Sequence, residues 1–197
     1  MGDSSLSAAP RRAVFLDRDG VINRALVRDG RPYPPAGLAE LEILPDAPGA
    51  LAELKKLGFL LLVITNQPDV ARGAQSRATV EAIHAALGSA LPLDDFFVCC
   101  HDNADGCDCR KPKPGLLLRA AARHGVQLTS SFLIGDRWRD IEAGQRAGCI
   151  TLWIDRGYAE PGPSLPPAAR VESLGEAAAW IIRRMGRERE QEREIRS

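Results

Sequence analysis

Short apolar runs of strand length alternate along the chain with longer stretches whose apolar residues fall three and four apart. The first run, "AVFLD", reads as a buried strand that ends in Asp17, with Asp19 just beyond it. A polar, proline-rich connection through "RDGRPYPPAG" follows. It precedes a helix that Asp46 can cap, with Leu51, Leu54 and Leu57 on one face and Gly58 as its stop. "FLLLVITNQ" is apolar almost throughout, the pattern of a strand covered on both faces of a parallel sheet. A helix starting near Ser76 carries Val80, Ile83 and Leu87 as a buried stripe, and "DFFVCC" follows as a short strand. Helix "PGLLLRAAARHG", strand "SFLIGD", helix "RWRDIEAGQRAG" and strand "CITLWID" continue the alternation. After these, "DRGYAEPGPSLPPAAR" reads as a connection to a helical "SLGEAAAWIIRRMG". Strands alternating with helices predict an α/β fold with a doubly wound, mostly parallel, Rossmann-like sheet.

The pattern predicts one domain over 13–185, a flexible amino end over 1–12 and a charged tail over 186–197. At 197 residues and 45% apolar composition, the chain is long enough to fill one core. Lys plus Arg (26) equals Asp plus Glu (26), so no net field draws in nucleic acid or an anionic membrane, and any anion site has to be local. The amino end "MGDSSLSAAPRR" lacks the apolar core of a secretory signal, and Leu6 stands where the myristoylation pattern wants Ser or Thr. The expectation is a cytoplasmic protein with no membrane partner.

Ligands of doubly wound sheets bind at the carboxyl ends of the strands. Three apolar strands here end in polar groups: Asp17 and Asp19, Thr65 and Asn66, and Asp136. Two carboxylates at a buried strand end, with a third nearby, repel one another unless a cation sits among them, and oxygen-only ligands suit Mg²⁺. Lys111 could supply fixed positive charge for phosphate chemistry. Asp19-Gly20 is also a common turn pair, so "DRDG" alone leaves the structural and catalytic readings both open.

A second constellation lies in "CCHDNADGCDCRKP". Cys99, His101, Cys107 and Cys109 form a C-x-H-x₅-C-x-C spacing that suits a closed, structural Zn²⁺ site. Disulfides are the rival reading, and a cytosolic setting counts against them. Cys100 should point away from its neighbours into the core, and Cys149 reads as a small buried hydrophobe. His84 and His124 read as surface or helix-terminal residues, Trp153 and Trp180 as packing, and Trp138 as a residue near the pocket.

"FLDRDGVIN", "VITNQ", "CRKPKPG" and "IGDRWRDIEAG", in that order, resemble the motifs of the haloacid dehalogenase superfamily of aspartate-nucleophile phosphatases. The resemblance implies that Asp17 is the nucleophile and Asp19 the general acid and base. It implies that Thr65, Asn66 and Gln67 hold the phosphoryl group, that Lys111 neutralises it, and that Asp17, Asp136 and the Asp19 backbone carbonyl hold Mg²⁺. Asp140 would lie behind the ligands or on the surface. The zinc loop and "ITNQPDVARG" resemble the branch that contains heptose-bisphosphate and histidinol-phosphate phosphatases. By that likeness Arg110 would recognise substrate and Arg137 would stand in for a common lysine, while Pro68 and Asp69 replace a usual Ser-Gly pair. The intervals between motifs leave little room for a lid domain, so the enzyme would be capless, and the resemblance implies a monomer acting on a small sugar phosphate such as D-glycero-D-manno-heptose 1,7-bisphosphate. Histidinol phosphate, a 3′-phosphorylated polynucleotide and a non-catalytic zinc-stabilised binding module stand as alternatives. The balanced composition gives no support to a nucleic-acid groove.

Overall fold

The computed structural model describes residues 11–196, so the expected flexible amino end lies almost wholly outside the described residues. The strands are β1 (Ala13–Leu16), β2 (Leu26–Arg28), β3 (Arg31–Tyr33), β4 (Leu60–Asn66), β5 (Asp95–Cys99), β6 (Phe132–Gly135), β7 (Ile150–Ile154) and β8 (Ala169–Val171). The helices are α1 (Ala47–Lys56), α2 (Arg77–Ala90), α3 (Gly115–His124), α4 (Trp138–Ala147) and α5 (Leu174–Arg196). The main sheet runs β5-β4-β1-β6-β7-β8, with every neighbouring pair parallel. The chain builds outward from β1 to β4 and β5, then returns to the other side for β6, β7 and β8. The sheet therefore reverses direction around β1, where a ligand crevice forms.

Because side chains alternate across a strand, uniformly apolar strands divide between two cores. Val14, Leu16, Leu61 and Val63 pack with Leu51 and Leu54 of α1 and Leu174 and Ile181 of α5. Ala13, Phe15, Leu60, Leu62 and Ile64 pack instead with Leu116 and Leu117 of α3 and Ala143 of α4. Val80, Ile83 and Leu87 of α2 are buried as the spacing predicts, and Ser76 Oγ caps that helix by accepting from Thr79 N at 3.0 Å. Asp46 stands at the start of α1, but its carboxylate accepts from Gly175 N of α5 at 2.9 Å, so it joins two helices instead of capping its own.

Two features depart from the expected pattern, and a third extends it. The connection after β1 contains the β2–β3 hairpin, whose turn residues Asp29 and Gly30 take positive φ of 50° and 71°. The proline-rich stretch before α5 contains β8, which adds a sixth strand to the sheet. The alternating Arg and Glu residues of the expected tail continue α5 to Arg196, with an Arg184–Glu188 pair at 3.0 Å on its side. Among the described residues, no helix is long and apolar enough to cross a membrane.

His84 is buried, contrary to the expectation of a surface or helix-terminal residue. It lies on the inner side of α2, stacks on Phe96 at 4.7 Å between ring centroids, and places Nε2 3.2 Å from Nη1 of the fully buried Arg18. Burial, reinforced by the Arg18 charge, pushes its imidazole down to about 4. The unfolded chain therefore binds a proton at His84 that the folded chain refuses, so this stabilising contribution is complete above pH ~6.5 and is lost as pH falls toward 4. Moving from pH 7 to pH 5 should cost about 2 kcal/mol through this residue. His84→Gln, which keeps an acceptor for Arg18, should flatten that dependence in denaturant titrations. An unchanged slope would mean that His84 does not carry it.

Candidate active site

The carboxyl ends of β1, β4 and β6 bring Asp17, Thr65 and Asp136 to one place, with Lys111 reaching in from the loop before α3. Asp17 N donates to Ile134 O at 3.0 Å, which continues the β1–β6 ladder one residue into the site. Lys111 Nζ lies 2.8 Å from Asp17 Oδ1, 2.7 Å from Ile64 O and 2.5 Å from Asp140 Oδ1. Asn66 fixes the peptide behind that lysine: its Oδ1 accepts from Lys111 N at 3.1 Å and its Nδ2 donates to Lys111 O at 3.2 Å. Asp140 is 2% exposed and also accepts from Arg137 N at 3.0 Å, so it is an interior residue and not a surface acid.

Asp17, Asp136 and Asp140 are all buried and each offers an oxygen within 4.8 Å of the others. Burial pushes the Asp17 carboxyl up to about 6, with Asp140 adding to the rise and Lys111 opposing it. Burial, then Asp17 and Asp140, hold Asp136 well above the ordinary carboxylate range. For Lys111, burial opposes the charge, but Asp140 and Asp17 outweigh it and push the ammonium up to about 12. One lysine does not balance three buried carboxylates. Asp136 Oδ1 is moreover buried with no hydrogen-bond partner, while Oδ2 accepts from Tyr158 OH at 2.8 Å. An oxygen-rich set short of positive charge, with an unpaired acceptor, fits a hard divalent cation. Gly20, at φ 84°, allows the approach, because a Cβ there would collide with the Asp136 carboxylate.

Asp19 is ringed by donors. Arg18 Nε and Nη2 reach its oxygens at 3.1 and 3.0 Å, Asn23 Nδ2 at 3.0 Å and Gln67 Nε2 at 2.8 Å. The same Gln67 nitrogen donates to Thr65 Oγ1 at 2.9 Å. Gln67 is fully buried and sits beneath the cavity, whereas Thr65 and Asn66 line it.

The cavity above these groups has a volume of about 480 Å³. Its walls carry Arg31 and Tyr33 of the hairpin, Asp69 and Arg72, Arg110, Arg137 to Arg139, and Glu160. Trp138 lines it as expected, with the Arg139 guanidinium over its ring. Arg110 is oriented by Asn103 Oδ1 at 2.8 Å, and Arg137 is engaged by Glu160, with Nε to Oε2 at 2.9 Å. The Asp69 acid is offset by Arg72 at 3.3 Å, and Arg72 forks onto Asp102 with two contacts of 2.8 Å.

Beside the cavity, the sulfurs of Cys99, Cys107 and Cys109 and the ring of His101 converge. Cys109 Sγ lies 3.1 Å from Cys99 Sγ and 3.4 Å from Cys107 Sγ, and the third sulfur pair is 3.8 Å apart. His101 Nδ1 stands 3.3 Å from Cys109 Sγ. A tetrahedral zinc with thiolates at about 2.3 Å requires sulfurs about 3.8 Å apart, so the four groups fit such an ion with a small expansion. The cysteines are free thiols. Cys100 is not one of the converging groups; it is only half-buried and feels the charges of Arg77, Cys109 and Glu81, so contrary to expectation it does not enter the core. Cys149 is buried in the core, as expected.

Sequence reasoning missed Arg18, Tyr158 and Glu160. The arginine was hidden between two conspicuous acids. The other two sit in a proline-rich stretch without periodicity, and nothing local marks them as part of the site.

Residues 24–148 match the family model of haloacid dehalogenase-like hydrolases. The chain is similar to the D-glycero-beta-D-manno-heptose-1,7-bisphosphate 7-phosphatase of Pseudomonas aeruginosa, at 37% identity over 87% of this chain and 98% of that one. It is similar to the enzyme of the same name from Bordetella bronchiseptica, at 35% identity over 87% and 98% of the two chains. The crystal structure of D,D-heptose 1,7-bisphosphate phosphatase from B. bronchiseptica, complexed with magnesium and phosphate, superimposes with a TM-score of 0.75 at 33% identity, covering 88% of this chain and 99% of that one. With this fold and these relatives, the chain belongs to the haloacid dehalogenase-like hydrolases and is a phosphatase of that family.

Proposed function

We propose that this phosphatase is Mg²⁺-dependent, works through a phosphorylated Asp17 and removes the 7-phosphate of D-glycero-β-D-manno-heptose 1,7-bisphosphate. The observation that carries the chemistry is the Asp17–Lys111 contact of 2.8 Å at the floor of a cavity whose other buried carboxylates lack a full complement of positive charge. A carboxylate approaches a phosphate dianion only where fixed cations offset the charge. Mg²⁺, held by Asp17, Asp136 and the Asp19 carbonyl, would supply the remaining charge and orient the phosphoryl group. Asp17 attacks phosphorus and the bond to the sugar oxygen breaks, while Asp19 gives that oxygen a proton. Asp19 then takes a proton from the water that hydrolyses the phosphoaspartate, which releases phosphate and restores Asp17. The ring of donors around Asp19 suits the accepting half of this role. Delivery of the proton requires Asp19 to exchange some of those contacts for the leaving oxygen.

Thr65 and Lys111 serve the transferred phosphoryl group. Asn66 serves it by clamping the Lys111 peptide, and Gln67 by bridging Thr65 to Asp19. The names of the relatives support the heptose bisphosphate, and the arginines of the cavity wall, Arg110 and Arg137 among them, suit a substrate with a second phosphate. The deciding measurement is phosphate release by the purified protein with Mg²⁺. The heptose bisphosphate should exceed histidinol phosphate and a 3′-phosphorylated oligonucleotide by about a hundredfold or more in kcat/KM. A preference for either of the others, or release from none of the three, would overturn the substrate.

A further inference from the structure

Asp136 is held from above by a segment that no motif marks. Its backbone carbonyl accepts from Trp153 Nε1 of β7 at 3.0 Å, and its Oδ2 accepts from Tyr158 OH at 2.8 Å. Tyr158 belongs to a loop tied down on both sides of it. Arg156 Nε donates to Gly20 O at 3.0 Å, Ala159 N donates to Gly30 O of the hairpin turn at 2.8 Å, and Glu160 pairs with Arg137. These ties span the mouth between Gly20 and the hairpin, which fixes the phenol over the carboxylate.

We propose that Tyr158 is a positioning residue for the catalytic cation: by occupying Oδ2 of Asp136, it fixes the carboxylate and reserves the unpartnered Oδ1 as the metal-binding oxygen. The inference rests on the reading of Asp136 as a cation ligand. A carboxylate at a metal seat can rotate or bind through either oxygen. A donor on one oxygen removes that freedom before the ion arrives, and the loss of such an outer partner typically weakens metal binding by about 10- to 100-fold. The hydroxyl matters here and not the ring, since the phenol oxygen makes the contact.

Calorimetric titration of Mg²⁺ into the full chain, with Mg²⁺ activation of turnover measured alongside, tests this. Tyr158→Phe should weaken Mg²⁺ binding about tenfold and raise the activating concentration equally, while turnover at saturating Mg²⁺ stays near the parent value. Asp136→Asn should abolish binding. Asp155→Ala, which removes the Arg170 pair and the contact with Gly157 N at the base of the same loop, should bind Mg²⁺ like the parent. Parent-like binding by Asp136→Asn would defeat the seat itself and the inference with it. Loss of binding in Asp136→Asn with parent-like binding in Tyr158→Phe would overturn the inference alone. Equal weakening in Asp155→Ala and Tyr158→Phe would also overturn it, because loop order and not the hydroxyl would then be the cause.

Discussion

Asp17→Asn should lower turnover by about a thousandfold or more while the protein folds and keeps the parent's zinc content. The amide preserves size and most of the packing but is a poor nucleophile toward phosphorus, so the proposed phosphoaspartate could not form. The geometry also favours survival of the fold. Lys111 loses one anionic partner but keeps Asp140 at 2.5 Å and Ile64 O at 2.7 Å, so no buried ammonium is left alone. Burial and neighbouring acids push the Asp17 carboxyl up to about 6, which means that its ionised form is held against a cost in the metal-free protein. Replacing it with a neutral group relieves repulsion with Asp136 and Asp140, and the metal-free variant should melt at or above the parent temperature. Phosphate-release kinetics and thermal melts in chelator check both halves. Turnover near the parent level would remove Asp17 from the nucleophile role, and a sharply lower melting point would mean that its pair with Lys111 stabilises more than the acid cluster strains.

The parts of this molecule that could be read from sequence are those where local pattern and tertiary role coincide. β1 and β4 are apolar on both faces because helices cover both, and their polar ends had to lie at the carboxyl edge of the sheet. Ser76 and Gly58 mark helix boundaries by local chemistry that does not depend on the rest of the chain. The hairpin escaped because its strands of three residues are too short for alternation to register, although Asp29-Gly30 is a strong hairpin turn pair. His84 was misread because its burial depends on Arg18, a residue 66 positions away that needs a neutral acceptor inside the core. Tyr158 and Glu160 act at long range from a segment with no period, and only the folded chain brings them over Asp136 and Arg137. Gln67 and Asn66 stood within a legible motif, but their work under the cavity and on the Lys111 peptide is a matter of side-chain direction.

The cluster of Cys99, His101, Cys107 and Cys109 should contain one zinc ion per chain, and loss of that ion should reach Lys111. Cys109 directly precedes Arg110 and Lys111, so the ion would anchor the segment that aims both cations. That segment leans on the cluster in several ways: Arg110 Nη1 donates to His101 O at 3.3 Å, and Lys113 Nζ donates to Gly106 O at 3.1 Å and Cys107 O at 2.7 Å. Burial, then Cys109, pushes the Cys99 thiol up, so without a cation it keeps its proton. Cys107→Ser replaces a soft ligand with a hard hydroxyl, so it should cost most of the zinc, loosen the loop and raise KM. Cys100→Ser is the matched control, since Cys100 lies in the same segment, is not one of the converging groups and is only half-buried; it should keep one zinc and near-parent KM. Elemental analysis beside substrate titrations separates the cases. Zinc lost from Cys100→Ser but retained in Cys107→Ser would overturn the ligand set, and zinc lost from Cys107→Ser with unchanged KM would show that the staple stabilises the loop without aiming Arg110 and Lys111.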